Sequence, residues 1–164
     1  MDRSPATLAA RMDNFLGRCR ERGMSATPQR IAIYRVLLQA EDHPSPEMLY
    51  GRVRVQMPSL SLATVYKVLD ALVELRLVHE VAAISGTKRY DANMDKHHHL
   101  VCTQCGTIVD FYDRELDAVA PPRRAPKLGG FIAEAVSVQV LGVCARCATP
   151  RPRRTRAKRL AVGS

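Results

Sequence analysis

The sequence has no tryptophan and few other aromatic residues, with three phenylalanines and five tyrosines among 164 residues. A surface that stacks the bases of single-stranded nucleic acid needs exposed aromatic rings, so the composition disfavours this class of binder. No stretch reaches the 18 apolar residues typical of a membrane helix. The start, MDRSPATLAARMDNF, lacks the apolar core of a signal peptide. We therefore expect a globular cytoplasmic protein with no membrane partner.

Acidic residues are absent from the last 15 positions, and this makes the net charge of +9 uneven along the chain. Residues 1–90 carry 13 basic and 9 acidic side chains (+4), residues 91–149 carry 6 and 7 (−1), and residues 150–164 carry 6 and none (+6). The last segment has no apolar periodicity, so we predict a disordered basic tail at 150–164. Such a tail is either a solubilising end or an accessory arm that contacts phosphates.

The cysteine count is odd, because Cys19 stands apart from two CxxC pairs that are separated by 38 residues. In a reducing cytosol such pairs hold a metal more often than they form disulfides. Two CxxC turns can close a tetrahedral shell of four thiolates with no open position, which is how structural zinc is held. We therefore predict a structural zinc site, with a thioredoxin-like redox pair as the alternative. The four predicted ligands are Cys102, Cys105, Cys144 and Cys147.

Apolar periodicity predicts four helices in the first half of the chain. They cover residues 6–22, 28–40, 46–55 and 62–78. Thr27 and Ser45 are the predicted N-caps of the second and third helices, because each precedes a proline at the first helical position. The fourth helix begins after Ser59 or Ser61. Cys19 shares the apolar face of the first helix, so we expect it to be buried and unreactive.

Two alternating segments, VHEVAAI and TKRYDA, follow these helices and are joined at Ser85-Gly86, which predicts a β-hairpin. Helices followed by such a ribbon are typical of a winged helix-turn-helix domain, whose last helix enters the major groove of DNA. We assign this DNA-binding domain to residues 1–90. The residues of the fourth helix that point away from its apolar stripe are candidates for base contacts, unless they form an ordinary polar surface. They are Ala63, Thr64, Tyr66 and Lys67.

Residues 91–149 predict a second, small α/β domain with about three strands and one short helix, so the fold class is α+β. The proline-rich segment 121–130, PPRRAPKLGG, is predicted to be a loop. The segment 136–140 alternates valine with polar residues and therefore has one apolar face. A domain this small is expected to bury that face in a homodimer, and a twofold dimer fits palindromic DNA.

The run HHH at 97–99 predicts a second metal site of a different kind. Side chains alternate along a strand, so His97 and His99 lie on one face and His98 on the other. Two imidazoles on one face form half of a metal site, which nearby acids can complete. The candidates for the remaining ligands are Asp91, Asp110 and His43. We expect His98 and His79 to be structural.

Five segments carry a specific resemblance. They are TPQR at 27–30, HPSPEMLY at 43–50, LATVYKVLDAL at 62–72, HHHLVCTQCG at 97–106 and GVCARC at 142–147. Together they make about residues 14–148 resemble the ferric uptake regulator family of metal-dependent bacterial repressors. The resemblance implies structural zinc on the four cysteines and a homodimer on double-stranded operator DNA, with a palindromic, A/T-rich operator. Arg30, within TPQR, joins the predicted DNA contacts.

The resemblance also implies a regulatory metal that bridges the two domains. Its implied ligands are His43, Asp91, His97, His99 and Asp110. Asp110 favours the peroxide-sensing branch, because the iron-uptake branch usually has glutamate there. Nitrogen and carboxylate ligands suit iron(II) or manganese(II), although zinc competes. In that branch, hydrogen peroxide would oxidise His43 or His97 and release the DNA.

Two alternatives to a peroxide-responsive repressor remain at this level. One is an iron-uptake regulator that senses only the iron level, and the other is a mononuclear metal enzyme. We expect no enzyme and no small-molecule substrate other than hydrogen peroxide, because the enzyme alternative leaves the winged-helix segment unexplained. One departure from the family pattern concerns local geometry: Arg76 stands before the hairpin, where glycine is common.

Overall fold

The computed structural model describes residues 3–81, 86–120 and 136–148. Four helices, a two-stranded ribbon and a three-stranded sheet with two short helices follow one another, so the fold class is α+β, as predicted. The helices are α1 Pro5–Glu21, α2 Pro28–Gln39, α3 Pro46–Val53, α4 Leu62–Glu74, α5 Arg114–Asp117 and α6 Ala145–Ala148. The strands are β1 His79–Val81, β2 Arg89–Asp91, β3 His98–Cys102, β4 Ile108–Phe111 and β5 Gln139–Gly142. Among the described residues, no helix is both long and apolar enough to cross a membrane.

A hydroxyl side chain caps the start of each of the first four helices. Each cap accepts a hydrogen bond from the backbone N–H three residues later, an N–H that has no partner inside the helix. The caps are Ser4, Thr27, Ser45 and Ser61. Thr27 and Ser45 are therefore confirmed as N-caps, and Ser61 is the cap of α4 in preference to Ser59. α1 begins one residue earlier than predicted, and α3 ends at Val53, two residues earlier.

α4 also ends earlier than predicted, at Glu74, because a Schellman motif closes it. Leu77 N donates to Leu72 O at 3.0 Å and Arg76 N donates to Val73 O at 2.9 Å, the two hydrogen bonds that define this motif. Arg76 occupies the left-handed position with φ 53°. α1 ends in the same way, but there the left-handed residue is Gly23, with φ 62°. A glycine is free of strain at this position and an arginine is not.

Replacing Arg76 by glycine is therefore expected to raise the free energy of unfolding by about 1 kcal/mol, since it relieves left-handed strain. The reciprocal change, Gly23→Arg, should lower it by a similar amount, because a Cβ there meets nothing within 4 Å and only the backbone is strained. Urea unfolding of the two variants beside the wild type measures both effects. Two changes of the same sign would contradict this account of the helix ends.

The helices bury one apolar core. The predicted stripe of α4 lies within it, at Val65, Val68, Leu69, Leu72 and Leu75. Cys19 is buried in the same core, as predicted. Tyr90 and Ala92, at the end of the ribbon, also pack into it. The ribbon is therefore attached to the helices through its second strand.

β1 and β2 pair in antiparallel orientation, with His79 opposite Asp91, which confirms the predicted hairpin. Of its predicted turn, Gly86 has φ 72°, a left-handed value that suits glycine, and Ser85 lies outside the described residues. The second sheet has the order β4-β3-β5, with β3 antiparallel to β4 and parallel to β5. Leu100 stands between Val109 and Val140, and these side chains are 43%, 49% and 42% exposed.

Several predictions for the second half of the chain fall where the structure describes little or nothing. The predicted loop at 121–130 and the predicted basic tail at 150–164 lie outside the described residues. The strand predicted from residue 136 begins only at Gln139. The short helix predicted within residues 91–149 is present as α5, capped by Asp113.

Candidate metal centres

Two groups of side chains within the described residues have the composition of a metal site. In each group the potential ligand atoms all lie within 4.8 Å of one another. The first group is Cys102, Cys105, Cys144 and Cys147, and the second is His43, Asp91, His97, His99 and Asp110. The structure thus brings together every residue that the sequence proposed for each site.

The four cysteines come from two turns at one end of the three-stranded sheet. Cys102 ends β3, and Gly106, with φ 68°, reverses the chain towards β4. On the other side, Cys144 follows β5 and Cys147 lies in α6. The two turns are tied together, because Thr103 N donates to Gly142 O at 2.8 Å.

The sulfur geometry fits zinc. The Sγ atoms of Cys105 and Cys144 are 3.7 Å apart, close to the edge of about 3.8 Å that a tetrahedron with Zn–S bonds of about 2.3 Å requires. Hydrogen bonds from Thr107, and then from Arg146, lower the pKa of Cys105 to about 5. Hydrogen bonding to the sulfur of Cys105 raises the pKa of Cys147 to about 12. A metal ion bound here would displace the remaining thiol protons, since cysteine binds a metal as the thiolate.

The histidine run forms half of the second group. The Nε2 atoms of His97 and His99 are 3.0 Å apart, so the two rings lie on one side of the chain, as predicted. His98 points to the other side, where its Nε2 lies 3.1 Å from Asp117 Oδ1. Asp95 O lies 2.7 Å from Nδ1 of His97. A hydrogen bond there places the proton on Nδ1 and leaves Nε2 as the ligand atom.

Two carboxylates and a third imidazole complete this group from three other elements. Asp91 Oδ2, at the end of β2, lies 2.9 Å from Nε2 of His97. Asp110 Oδ1, on β4, lies 2.8 Å from Nε2 of His43, which is in the loop before α3. The longer distances between these carboxylates and the imidazoles, including those of His99, are 3.7 Å.

These atoms fit a metal ion better than they fit one another. His43 Nε2, Asp91 Oδ2 and Asp110 Oδ1 are buried and lie at ion-pair distances from neighbouring ligand atoms, yet none has a well-oriented hydrogen-bond partner within the part of the chain that the structure describes. Buried polar atoms are nearly always satisfied. Here they lie close together but do not point at one another, which is the geometry of lone pairs that converge on a common centre. Three nitrogens and two carboxylate oxygens suit iron(II) or manganese(II).

The pKa values of His43 and Asp91 reflect the same arrangement of ligands. Burial lowers the pKa of His43, but contacts with Asp110 and then Asp91 outweigh burial and raise it to about 9. Burial raises the pKa of Asp91, but contacts with His43, His97 and His99 outweigh it and hold the pKa well below its ordinary value. Without a metal, His43 is therefore protonated at neutral pH. Metal binding must release that proton.

Asn93 is a site residue that the sequence did not suggest. Its backbone N–H donates to Asp91 Oδ1 at 2.8 Å, and its side-chain amide donates to Asp110 Oδ2 at 3.2 Å. One residue thus holds the second oxygen of each carboxylate, and such partners orient metal ligands. Asn93 is 1% exposed. The spacing Asp-x-Asn hinted at an Asx turn, but nothing in it pointed to Asp110.

The loop that carries His43 is held in an uncommon conformation. His43 has φ 46°, a left-handed value that a non-glycine residue needs neighbours to maintain. Tyr90 N donates to Pro44 O at 3.2 Å, and Arg89 Nη1 donates to His43 O at 3.4 Å. On the other side of the loop, Arg52 forms a two-pronged ion pair with Asp42. β2 therefore positions both Asp91 and His43.

The predicted DNA contacts of α4 are largely at the surface. Ala63, Tyr66 and Lys67 are exposed, whereas Thr64 is partly buried and its hydroxyl lies 2.8 Å from Ser61 Oγ. Arg30 is partly buried and donates to Ser25 O, at the start of α2. The Tyr66 hydroxyl donates to Glu47 Oε1 on α3.

Comparison with known proteins gives a consistent answer. The model of the ferric uptake regulator family matches residues 21–138. The peroxide-responsive repressor PerR of Staphylococcus epidermidis is 31% identical over 136 residues, which cover 83% of this chain and 89% of that protein. Two solved structures are also similar. The Campylobacter jejuni peroxide stress regulator is 32% identical with a TM-score of 0.57 and coverage of 80% and 98%. The Helicobacter pylori ferric uptake regulator, at 22% identity, shares the fold with a TM-score of 0.69 and coverage of 85% and 93%.

Proposed function

The chain belongs to the ferric uptake regulator family, and from this we propose that it is a metal-dependent, peroxide-responsive repressor of transcription. The resemblance drawn from its motifs is thereby confirmed. The observation that carries the proposal is the second metal centre, where three buried ligand atoms lack a well-oriented hydrogen-bond partner among the described residues. Relatives named for their response to peroxide support the same branch.

The proposed partner is double-stranded operator DNA, palindromic and A/T-rich, bound by a winged-helix domain at residues 1–90. Its proposed contacts are Ala63, Thr64, Tyr66, Lys67 and Arg30. The exposure of Tyr66 and Lys67 supports this assignment. The helical N-terminus of α4 suits entry into the major groove. As a DNA-binding regulator, the protein is proposed to act in the cytoplasm and to be no enzyme.

Residues 91–149 are the proposed dimerisation and metal-binding domain. The exposed apolar face around Leu100, with Val109 and Val140 beside it, supports a homodimer. Such a face costs free energy in water and is removed from it when a second copy packs there. Structural zinc held by the four cysteines would join the two ends of this domain.

In the regulatory centre, the proposed ligands come from both parts of the molecule. His43 precedes α3 and Asp91 ends the ribbon, whereas His97 immediately precedes β3, and His99 and Asp110 lie in the three-stranded sheet. Holding all five together fixes the helices relative to the sheet. If that arrangement is the one that binds DNA, bound metal raises the affinity for the operator. Bound operator then raises the affinity for the metal by the same factor.

The proposed response to peroxide uses two of these side chains. Iron(II) bound at this site would supply the one-electron chemistry that cleaves the O–O bond. In the net reaction, an imidazole of His43 or His97 gains one oxygen atom and the other oxygen leaves as water. The histidine is thus oxidised by two electrons while peroxide is reduced by two. An oxidised imidazole is a poorer ligand, so the protein releases the metal and, with it, the DNA.

Treating the iron(II)-loaded protein with hydrogen peroxide is therefore expected to abolish operator binding and to add one oxygen atom to the peptide that contains His43 or His97. Protein with zinc at the same centre is the control, because zinc has no redox chemistry and should retain both its mass and its DNA. Operator binding and peptide mass are measured on the same samples. Loss of DNA without oxygen on either histidine would defeat the peroxide proposal. An iron-loaded repressor that ignores peroxide would favour an iron-uptake regulator.

A further inference from the structure

Tyr66, the exposed tyrosine of α4, is held at its hydroxyl by another helix. The residue is 38% exposed and lies on the side of α4 proposed to meet DNA. Its hydroxyl donates to Glu47 Oε1 at 2.7 Å. Glu47 lies in the first turn of α3, so a contact between two helices holds the ring at its polar tip.

Glu47 is itself held at its second oxygen. Ser45 Oγ donates to Glu47 Oε2 at 2.8 Å, and Ser45 is the buried N-cap of α3. Hydrogen bonds from Tyr66, and then from Ser45, hold the pKa of Glu47 below its ordinary value. Glu47 is therefore an ionised carboxylate with a partner on each oxygen.

A negative charge on a surface that DNA approaches is unfavourable, because phosphates repel it. Glu47 is therefore not a backbone contact, and its place beside Tyr66 needs another reason. A rigid aromatic ring can make apolar contact with a thymine methyl only if the ring is correctly oriented. A carboxylate that holds the phenol oxygen fixes the direction of the ring's long axis before DNA arrives, which reduces the ordering cost of binding.

We infer that Glu47 is a positioning residue for sequence recognition, which holds the ring of Tyr66 for base contact through the Tyr66 hydroxyl. This inference rests on the proposed DNA-binding function and adds a specificity-determining residue to it. Glu47 touches no base itself and acts through Tyr66.

The same segment begins at the regulatory centre. Three residues separate His43, a proposed metal ligand, from Glu47, and Arg89 contacts both His43 and Met48, the residue after Glu47. Its Nη1 donates to His43 O at 3.4 Å and lies 3.0 Å from Met48 Sδ. The anchor of Tyr66 therefore lies directly after the loop that metal binding is proposed to fix. Metal binding should therefore restrict the range of orientations of Tyr66, and it should also fix the two parts of the molecule relative to each other.

Glu47 also has a purely structural alternative, because a carboxylate in the first turn of a helix stabilises the helix dipole. If that is its role, any variant that loses the charge will have a less stable α3, whichever residue occupies position 66. A double-mutant cycle separates the two roles, since it isolates the part of the Glu47 effect that passes through Tyr66.

The experiment uses the full-length, manganese(II)-loaded protein and a DNA duplex that the wild type has selected from a random pool. The variants are Glu47→Ala, Glu47→Gln, Tyr66→Phe and the double variant Glu47→Ala with Tyr66→Phe. Each is measured for its affinity for the selected duplex and for a scrambled duplex, and the ratio of the two is compared. The ratio cancels the general gain in affinity that follows removal of any negative charge. Glu41→Ala is the matched control, because its carboxylate pairs with Arg3 and not with Tyr66.

Glu47→Ala and Tyr66→Phe are each expected to lower the specificity ratio about three- to tenfold, the loss of one hydrogen bond. The double variant should lose no more than either single variant. Glu47→Gln should keep most of the ratio, because its amide oxygen still accepts from the Tyr66 hydroxyl, and Glu41→Ala should leave the ratio unchanged.

Three results would overturn the inference. An equal loss on Glu47→Ala with or without the Tyr66 hydroxyl would assign Glu47 to helix stability alone. A higher specificity ratio in Glu47→Ala would mean that the contact restrains Tyr66 from reading DNA. If the metal-loaded wild type selects no duplex, both the proposed function and the inference are wrong. The first two results would contradict the inference alone.

Discussion

Replacing His97 by alanine is expected to lower the manganese(II) affinity of the regulatory centre by about a hundredfold or more and to abolish metal-dependent operator binding. His97 supplies one of five converging ligand atoms, and its Nε2 is the imidazole nitrogen nearest to Asp91 Oδ2, at 2.9 Å. Its removal leaves a buried carboxylate with one fewer partner, so both the metal and its surroundings are destabilised. Titration calorimetry gives the metal affinity, and a DNA-binding assay with and without manganese gives the coupling.

His98→Ala is the matched control for this change. The side chains of His97 and His98 are each 5% exposed, and the two residues are neighbours in the chain. The difference is direction, because His98 faces Asp117 and not the centre. His98→Ala should retain manganese binding, and both variants should retain one zinc per chain. A His98 variant that loses manganese as strongly as the His97 variant would show that the effect comes from damage to β3 and not from loss of a ligand.

Replacing Cys144 by serine is expected to remove the structural zinc and, with it, the folded sheet and the dimer. Zinc binding contributes about 10–16 kcal/mol in small zinc-dependent domains, as much as or more than the total stability of a typical domain, about 5–15 kcal/mol. β5 pairs only with β3 in the described sheet, so the cysteine cluster is its main further attachment. Zinc content by native mass spectrometry and molecular mass by light scattering measure the two losses.

Cys19→Ala is the control for the loss of a cysteine as such. Cys19 is buried in the helical core and belongs to neither metal centre. Its replacement should cost about 1 kcal/mol through the cavity that it leaves, with full zinc content and an intact dimer. A Cys144→Ser protein that remained dimeric with one zinc per chain would mean that zinc is held elsewhere.

Patterns that extend over a few residues led to correct predictions. Ser or Thr before proline identified the N-caps of α2 and α3. The alternation of a strand placed His97 and His99 together and His98 apart. These features are local, because backbone geometry alone relates residues that are two to four positions apart.

The early end of α4 was missed for the opposite reason. The apolar stripe continues past Glu74, and Arg76 carries no glycine signal, so periodicity extended the helix to residue 78. The Schellman hydrogen bonds at Leu77 and Arg76 closed it instead. Packing of the residues beyond the helix outweighs the strain at Arg76, and packing strength is not visible in a single sequence.

The ligands of both metal centres could be predicted from the sequence, as two CxxC pairs and as a histidine run with candidate acids, because ligand chemistry restricts which residues can bind a metal. The spatial arrangement of these ligands could not be predicted from the sequence. His43, Asp91 and Asp110 meet only because the loop before α3 is bound to β2 and because Asp91, at the end of β2, lies against His97 and His99. Asn93 between two carboxylates, and Glu47 beneath Tyr66, are likewise contacts between elements. Side-chain type is a property of each position, but convergence depends on how distant elements pack, and only the folded chain decides that.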